Sequence, residues 1–267
     1  MNSRRSSRPR AESWGSGLLI CLFLTATCLN AAQLAQTRVT QLAKDVTLGP
    51  PHSAPHPAAV GESVRDGDVI STGAAGRSEL TFADQTVTRL GAKTTVSFSE
   101  GTRTMNLGEG AMLFQFPKGS GGMKIKAAAI TATSTGATGI IDRHAQFYIK
   151  VLVLEGTVRC YLADQIGESL LLQPGQILIM KPDATALPAP AHFDIARAMQ
   201  TCLLVRDFQP LSSQRRIESE EQKQLNLIAK GTYIPSNLVI LGRGTVVSLD
   251  NPTPTPHPKP QANTGNY

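Results

Sequence analysis

Short stretches of alternating apolar and polar residues dominate residues 61–181. Leu80 and Phe82 alternate with polar neighbours, and Val96 and Phe98 repeat the pattern, so these four side chains are predicted to face inward from strands. Ala83-Asp84-Gln85 separates two such stretches and predicts a tight turn, although Gln85 suits a positive φ less well than glycine. Most of this region is therefore predicted to be β-structure.

The stretch 86–90 alternates poorly. Such a strand is either buried on both faces or interrupted by a bulge. The sequence leaves both alternatives open.

Three stretches share a weak internal pattern: LGEGAMLF (107–114), LEGTVRCY (154–161) and LQPGQILIM (172–180). Each places a leucine, then a glycine turn, then a strand. Short strands with glycine at the corners favour a mainly β, solenoid-like stack in which each rung covers the last. A β-sandwich or barrel is the alternative.

The chain is divided by changes in composition. Residues 1–32 form a signal peptide or signal anchor, 37–181 a β domain and 182–191 a Pro/Ala linker. Residues 192–249 form a small α+β extension, and 250–267 a Pro/Thr-rich tail predicted to be disordered. Within the β domain, 37–48 predicts a strand pair and the proline-rich 50–60 a loop.

Two helices are predicted in the extension. Asp194 lies near the start of the first. The second covers 214–230, with Ser212 or Ser213 as N-cap and Gly231 as C-terminal cap. Its inward face is predicted to hold Ile217, Leu225 and Ile228, and the stretch 237–249 returns to a strand pattern.

The N-terminal segment has the layout of a secretory signal. Four arginines precede an apolar run, Leu18–Ala32, and small residues near its end offer a cleavage site. An uncleaved signal anchor is the alternative and would be the only contact with the membrane. Either reading predicts export to the periplasm or cell envelope.

Charge gives little support for nucleic-acid binding. The whole chain has 26 basic and 20 acidic residues, but residues 1–32 contribute four arginines and one glutamate. The remainder therefore has 22 basic and 19 acidic residues, and no basic run is interleaved with aromatics.

Cys160 and Cys202 remain once Cys21 and Cys28 are assigned to the signal. Outside the cytoplasm they could form one disulfide, or they could be two buried free thiols. Neither has the spacing of a zinc or redox site, and His52 and His56 lie among prolines that prevent a shared helical face. The sequence therefore predicts no metal and no cofactor.

Candidate catalytic groups are few. The glycine-rich stretches 73–78 and 119–124 lack the strand–loop–helix setting and the GxxxxGK[ST] pattern of a phosphate loop, so they are predicted to be turns. His144 and His192 have no nucleophile beside them in a known motif. Asp142-Arg143-His144 is predicted to be a polar turn, and no catalytic residue is assigned.

The stretch ITATSTGATG (130–139) is dense in Thr and Ser. It could present a flat polar face to a partner. The pattern favours the other interpretation, tight packing between rungs.

Taken in order, GDVISTGAAGRSELTFADQTVTRLGAKTTVSF, LGEGAMLFQFPKG, ITATSTGATGII, VLVLEGTVRCY and LLLQPGQILIM resemble the FecR domain. The resemblance spans about 61–181. It departs from the family pattern at Gln85, where a glycine is usual, and at 136–139, which replaces a compact Gly-Thr pair. Only 17 residues precede the apolar run, too few for the cytoplasmic anti-sigma segment of the iron-uptake sensors.

The resemblance implies an exported module without that output segment. We expect a non-catalytic protein that binds or scaffolds at the bacterial envelope, with an envelope protein or a glycan as partner. A regulator of a sigma factor, acting through a membrane anchor or a membrane partner, is the second hypothesis. An envelope hydrolase is the third.

Overall fold

The computed structural model describes residues 37–99, 102–163 and 167–236. The predicted signal segment, the strand pattern at 237–249 and the predicted disordered tail lie outside the described residues. The described chain is mainly β with a small helical part, which confirms the predicted fold class.

The strands are β1 (Thr37–Ala43), β2 (Val46–Gly49), β3 (His56–Pro57), β4 (Ser63–Val64), β5 (Val69–Thr72), β6 (Arg77–Phe82), β7 (Val87–Leu90), β8 (Thr95–Ser99), β9 (Thr104–Phe116), β10 (Met123–Ala127), β11 (Ile130–Ser134), β12 (Ala137–His144), β13 (Tyr148–Gly156), β14 (Val158–Leu162), β15 (Ser169–Leu172), β16 (Gln176–Met180) and β17 (Ala191–His192). The helices are α1 (Ile195–Thr201), α2 (Leu203–Arg206) and α3 (Gln214–Ala229).

These strands form two sheets that share one long strand. Sheet A has the order β4-β1-β6-β7-β9-β12-β13-β16-β17, and sheet B has the order β3-β2-β5-β8-β9-β10-β11-β14-β15. Residues 104–109 of β9 pair in sheet B and residues 110–116 pair in sheet A. All pairings are antiparallel except β9 with β10.

Consecutive strands form rungs that contribute one strand to each sheet. The rungs are β1/β2, β5/β6, β7/β8, the two halves of β9, β11/β12, β13/β14 and β15/β16, and β10 is an additional strand of sheet B. The stacked rungs are the predicted solenoid-like arrangement. Because the two strands of a rung lie in facing sheets, the stack also encloses a core as a sandwich does.

The inner core lies between the two sheets. Val151 and Val153 of sheet A and Ile125 and Cys160 of sheet B are among its fully buried members. The predicted inward residues Leu80, Phe82, Val96 and Phe98 all belong to it, and the rings of the two phenylalanines lie 5.7 Å apart. Here the alternation in the sequence identified the core side correctly.

The repeated leucine–glycine pattern marks the corners of the rungs. Gly110, Gly156 and Gly175 all have positive φ and lie where the chain passes from one sheet to the other. At Gly156 a Cβ atom would also lie 2.3 Å from the Gly136 carbonyl oxygen. Glycine is thus required there by both backbone conformation and space.

The helical extension packs on the outer face of sheet A. Asp194 caps α1, and its side chain accepts from the Arg197 backbone N–H at 2.9 Å, as expected of a residue at this position. Ser213 precedes α3, but its side chain makes no capping hydrogen bond and instead contacts the sheet. Gly231 has φ +69, which fits the predicted helix end.

Three local expectations are refined or corrected by the structure. Strand β7 is regular and buried on both faces, which settles the choice left open for 86–90. The inward face of α3 holds Ile217 and Gln224, whereas Leu225 is exposed. The prediction was correct for Ile217 and wrong for Leu225, and Ile228 is half-buried. Gln224 takes the inward position because it pairs there with the Ile195 N–H and the Phe193 carbonyl.

The third correction concerns Asp142-Arg143-His144. These residues are the last three of β12, and the turn follows them at 145–147. The His144 ring lies 4.5 Å from that of Phe147 and 5.9 Å from that of Tyr148. His144 is thus part of a small aromatic contact at the end of a hairpin.

Candidate functional site

The extension occupies the outer face of sheet A from β7 to β16, and this part is called here the covered face. Leu113, Ile140, Leu152, Leu154 and Ile177 project from this face and are fully buried. They form an outer cluster with apolar residues of the extension, which are Phe193, Ile195, Ala198, Cys202, Leu204, Leu211 and Ile217. The extension therefore completes a second hydrophobic core rather than leaving this face exposed.

Arg89 of β7 fixes the extension over the covered face. Its guanidinium donates to the Glu79 carboxylate at 2.8 Å, to the Leu204 carbonyl at 3.0 Å and to the Gln209 carbonyl. The Phe208 ring centroid lies 4.9 Å from the guanidinium carbon. Burial lowers the pKa of Arg89, and the Glu79 charge opposes that shift. The buried Arg89–Glu79 ion pair therefore holds the extension on sheet A.

A second polar contact holds the start of α3. The Thr138 hydroxyl lies 2.8 Å from Glu155 Oε1 and 2.7 Å from the Ser213 hydroxyl. Gln115 Nε2 donates to the Ser212 hydroxyl at 2.6 Å. Arg216 then pairs with Glu155 at 3.2 Å. These contacts explain why Ser213 does not cap the helix with its side chain.

A third contact holds the end of the described extension. Gln224 accepts from the Ile195 backbone N–H at 2.9 Å and donates to the Phe193 carbonyl at 2.8 Å. The Tyr233 hydroxyl donates to the Gly175 carbonyl at 2.7 Å, and burial raises the pKa of Tyr233 to about 12. Together the three contacts hold the extension on the covered face.

The outer face of sheet B, called here the open face, has no such cover among the described residues. Lys124 and Lys126 of β10 are exposed, and the residues between and beside them are buried in the inner core. Arg159 of β14 is likewise exposed between core residues. The strict alternation of these strands follows from one face in the core and one in water.

Strand register aligns the polar side chains of the open face. Lys124 pairs with Thr133, and Thr133 pairs with Arg159. Thr104 lies beside Lys124 on the neighbouring strand, and Leu171 lies beside Arg159. A row of five residues thus crosses five strands, with a hydroxyl between two cations.

A surface groove of about 570 Å³ follows this row. Its lining includes the whole row, the turn at 121–122 and the hydroxyl residues Thr102, Thr135 and Thr157. Residues 119–122 of the stretch 119–124 lie in a turn, as predicted, whereas Met123 and Lys124 begin β10, and the stretch also forms one wall of the groove. The lining carries the cations Arg103, Lys124 and Arg159 and, among the described residues, no carboxylate.

The three cations differ in their own contacts. Arg103 donates to the Asp84 carboxylate and to the Gly122 carbonyl, so its charge is partly offset. Arg159 donates one bond, at 2.9 Å, to the Ser169 hydroxyl. No ion pair is recorded for Lys124 or Arg159 within the described chain. These two exposed cations give the groove its positive character.

The Thr/Ser-rich stretch 130–139 contributes residues both to the core and to the lining of the groove. Ile130, Ala132 and Ala137 lie in the inner core. Thr133 faces the groove, whereas the Ser134 hydroxyl donates to the Thr157 carbonyl at 2.8 Å. Within β11, Ile130 and Ala132 thus face the core, whereas Thr133 faces the groove.

The two cysteines lie in different hydrophobic clusters. Cys160 belongs to the inner core and Cys202 to the outer cluster, and both are recorded as buried free thiols. Burial raises the pKa of the Cys160 thiol to about 12 and also raises that of Cys202.

His56, His144 and His192 each make contacts of their own. His56 contacts the Glu62 carboxylate at 2.7 Å, and this bond lowers the pKa of Glu62. His192 stacks on Tyr233 with ring centroids 4.4 Å apart. Among residues 37–99, 102–163 and 167–236, no group of three His, Cys, Asp or Glu could hold a metal ion.

Sequence reasoning missed the groove and the role of Arg89. The signal for Arg89 was present, because poor alternation at 86–90 reflects burial on both faces. The signal for the groove was weaker. MKIKA and TVRCYL both alternate with a basic residue outward, but only strand pairing brings Lys124 and Arg159 into one row.

No helix in the described part of the chain is both long and apolar enough to cross a membrane.

Comparison with known families supports the resemblance seen in the sequence. The model of the family described as "FecR protein" matches residues 68–159, which confirms the FecR resemblance for that region. The match includes all three groove cations and ends before the extension. No match was found among the curated proteins.

Two crystal structures, each of a "putative anti-sigma factor" from Parabacteroides distasonis ATCC 8503, are similar to part of the chain. The first has a TM-score of 0.42 at 17% identity and the second 0.40 at 15%. The matches cover 50% and 53% of this chain. This chain spans 64% of the first structure and 76% of the second.

Proposed function

We propose that this chain, which carries a FecR domain over residues 68–159, is a non-catalytic binding module of FecR-type signalling outside the cytoplasm. The open face of sheet B is its contact surface. The FecR match supports a signalling role of this type. The location of the contact surface on the open face goes beyond that match and is part of this proposal.

One observation carries the choice of surface. The two outer faces are built from the same rungs, and Arg38 and Thr40 of β1 stay exposed on sheet A, but the groove that joins three cations to several hydroxyls lies on the open face. The covered face is closed by apolar packing and by the buried Arg89 ion pair. A partner can therefore reach the stack through sheet B without displacing part of the fold.

The absence of catalysis is part of the proposal. Support comes from the surroundings of the candidate groups. His144 lies against the Phe147 ring, His192 stacks on Tyr233, and both cysteines are buried with raised pKa values. A thiol that stays protonated is a poor nucleophile. Binding alone needs none of these groups.

Export is also proposed, on the layout of the N-terminal sequence. Sequencing the N-terminus of protein recovered from envelope fractions tests it. A mature chain starting near Ala32 or Gln33 is expected. A chain that retains Met1 and stays in the cytoplasmic fraction would contradict this part of the proposal.

Site-specific photo-crosslinking tests the contact surface. A photoreactive residue is placed at Lys126 on the open face and, as a matched control, at Arg215 on α3 of the extension; both positions are exposed. We expect a discrete crosslinked species in envelope fractions from position 126 only. Equal adducts from both positions, or none from position 126, would overturn the assignment of the open face.

A regulator of a sigma factor is a second candidate, and the FecR match favours it. In that role the chain would signal through an uncleaved N-terminal anchor or a membrane partner. Deleting the gene should then change transcription of a defined set of genes, and a charge reversal at Lys126 should reproduce the change. An unaltered transcript profile after deletion would remove this candidate.

A further inference from the structure

The groove on the open face has the chemistry of a site for an acidic glycan. This inference rests on the proposed function, because it requires the open face to be the contact surface. We propose that the groove binds a linear polysaccharide that carries carboxylates. Lys124 and Arg159 pair with the carboxylates, and Thr133 and its neighbouring hydroxyl residues bind the sugar hydroxyls.

Strand spacing sets the distance between the two cations. Lys124 and Arg159 lie on either side of Thr133 in one row, two strand positions apart. Adjacent strands are about 4.8 Å apart, so the cation-bearing backbones are separated by about 10 Å. The full row from Thr104 to Leu171 crosses about 19 Å. This length suits an extended polymer better than a single small anion.

The groove also has the polar groups that sugars require. Thr102, Thr133, Thr135 and Thr157 contribute hydroxyls to its lining. The Thr102 and Thr133 hydroxyls donate to the Ser99 and Arg159 carbonyls and keep lone pairs for a ligand, whereas a hydroxyl without such a bond can both donate and accept. Sugar hydroxyls have the same dual capacity. Neutral sugars alone would leave Lys124 and Arg159 without a counter-charge, which is why an acidic glycan is the better complement.

The strands beneath the groove do not favour an acidic peptide. Strands β10, β11 and β14, which carry Lys124, Thr133 and Arg159, are each paired on both sides, so a peptide could not add as a strand between the two cations. Peptide grooves usually add aromatic or apolar anchor pockets. Here the described lining has no aromatic residue, and Leu171 is its one exposed large apolar side chain.

Binding of a fluorescent oligogalacturonate to the purified full chain, followed by anisotropy at low and high salt, tests this proposal. Three comparison ligands separate the sources of affinity: a neutral oligosaccharide of the same length, an oligoglutamate of the same charge, and inorganic phosphate. We expect binding of the oligogalacturonate only, and weaker binding at high salt because exposed charges are screened.

Variants then assign the binding to the row. K124A/R159A should weaken binding about tenfold or more. The charge-matched control R215A/K230A, on the extension, should leave it unchanged. Thr133→Val, which keeps the shape of the side chain and removes the hydroxyl, should weaken binding about threefold. Circular dichroism and thermal melting verify that each variant remains folded.

The failures of the two proposals are distinguishable. Equal binding of oligoglutamate, with the same loss in K124A/R159A, would overturn the glycan proposal and identify an acidic peptide as the occupant. No binding of any probe would also overturn it. In either case a specific crosslink from position 126 would still support the proposed contact surface, whereas absence of that crosslink would count against both.

Discussion

The covered face and the open face are two sides of one stack of rungs, yet their chemistry differs throughout. On the covered face a basic residue, Arg89, is buried, and its guanidinium pairs with the Glu79 carboxylate and with the Leu204 carbonyl. On the open face Lys124 and Arg159 are exposed. The role of a charged side chain on a strand of this fold therefore depends on the face of the sheet on which it lies.

The same contrast appears in the strands themselves. Strand β13 is buried on both faces over most of its length, because Leu152 and Leu154 meet the extension while Val151 and Val153 meet the inner core. Strand β10 buries only alternate residues. The extension thus converts a sheet face that would be exposed into a core, and the resulting strands become continuously apolar.

The largest effect is expected from removing Arg89. R89A leaves Glu79 buried without its counter-charge and two carbonyls of the extension without their donor, and should lower the free energy of unfolding by about 3–5 kcal/mol. R159A on the open face should change it by less than about 0.5 kcal/mol. Urea unfolding of both variants measures the contrast.

A control separates charge from packing at this position. E79Q keeps a hydrogen-bonding group beside Arg89, and the guanidinium retains its bonds to Leu204 and Gln209. It should therefore cost less than R89A. Equal losses in R89A and R159A would show that the two faces do not differ as described.

A smaller effect is expected at the corners that join the faces. Gly156→Ala combines a strained positive φ with a clash against Gly136, and should cost about 3 kcal/mol. Gly119 has a similar φ but nothing within 4 Å of the position of a Cβ atom, so Gly119→Ala should cost about 1 kcal/mol. Thermal melting compares the two. If both variants lost the same stability, the close contact at the corner would have no measurable role.

Thiol modification distinguishes the inner core from the outer cluster. In a background with Cys21 and Cys28 replaced by serine, both remaining thiols should react slowly with a disulfide reagent at pH 8, because burial holds their pKa values high. R89A should loosen the extension and speed the modification of Cys202, while Cys160 stays protected. Faster modification of Cys160 than of Cys202 would contradict the assigned positions.

The Cys160 thiol also predicts a pH dependence. Its pKa is about 12 in the fold and about 8.5 in an unfolded chain, so the folded state binds the proton more tightly. Its contribution to stability is fully present below pH 8.5 and is lost as the pH rises toward 12. Cys160→Ala should therefore show a flatter decline of stability over this range in urea titrations.

The smallest effect is expected at the turn between β6 and β7. Gln85 has φ +64, a conformation that glycine adopts without strain. Gln85→Gly should therefore raise the free energy of unfolding by about 0.5 kcal/mol. A loss of stability would show that the Gln85 side chain makes a contribution not apparent from the backbone.

Much of the fold could be predicted because its signals are local. A positive φ requires glycine at a corner, and alternation identifies Leu80 and Val96 as core residues from a few neighbours. The helix ends at Asp194 and Gly231 were also found from local sequence. Each of these depends on contacts within one turn or one strand.

The surfaces could not be predicted in the same way because their contacts span long separations. Arg89 meets carbonyls more than 100 residues away in sequence, and Gln115 meets Ser213 98 residues away. The groove row depends on β10 pairing with β11 and on β11 pairing with β14. No local pattern specifies these pairings, so the carbonyl partners of the buried Arg89 and the row of the exposed Lys124 and Arg159 could not be predicted.

The shared rungs have a consequence for how such a protein can change in length. A duplicated rung would add one strand to each sheet and lengthen both by about 4.8 Å. The groove on the open face could then gain a further subsite. The extension would have to lengthen by the same distance to keep the apolar residues of the covered face buried. A longer groove therefore requires a larger extension, and the lengths of the groove and of the extension should vary together among proteins of this architecture.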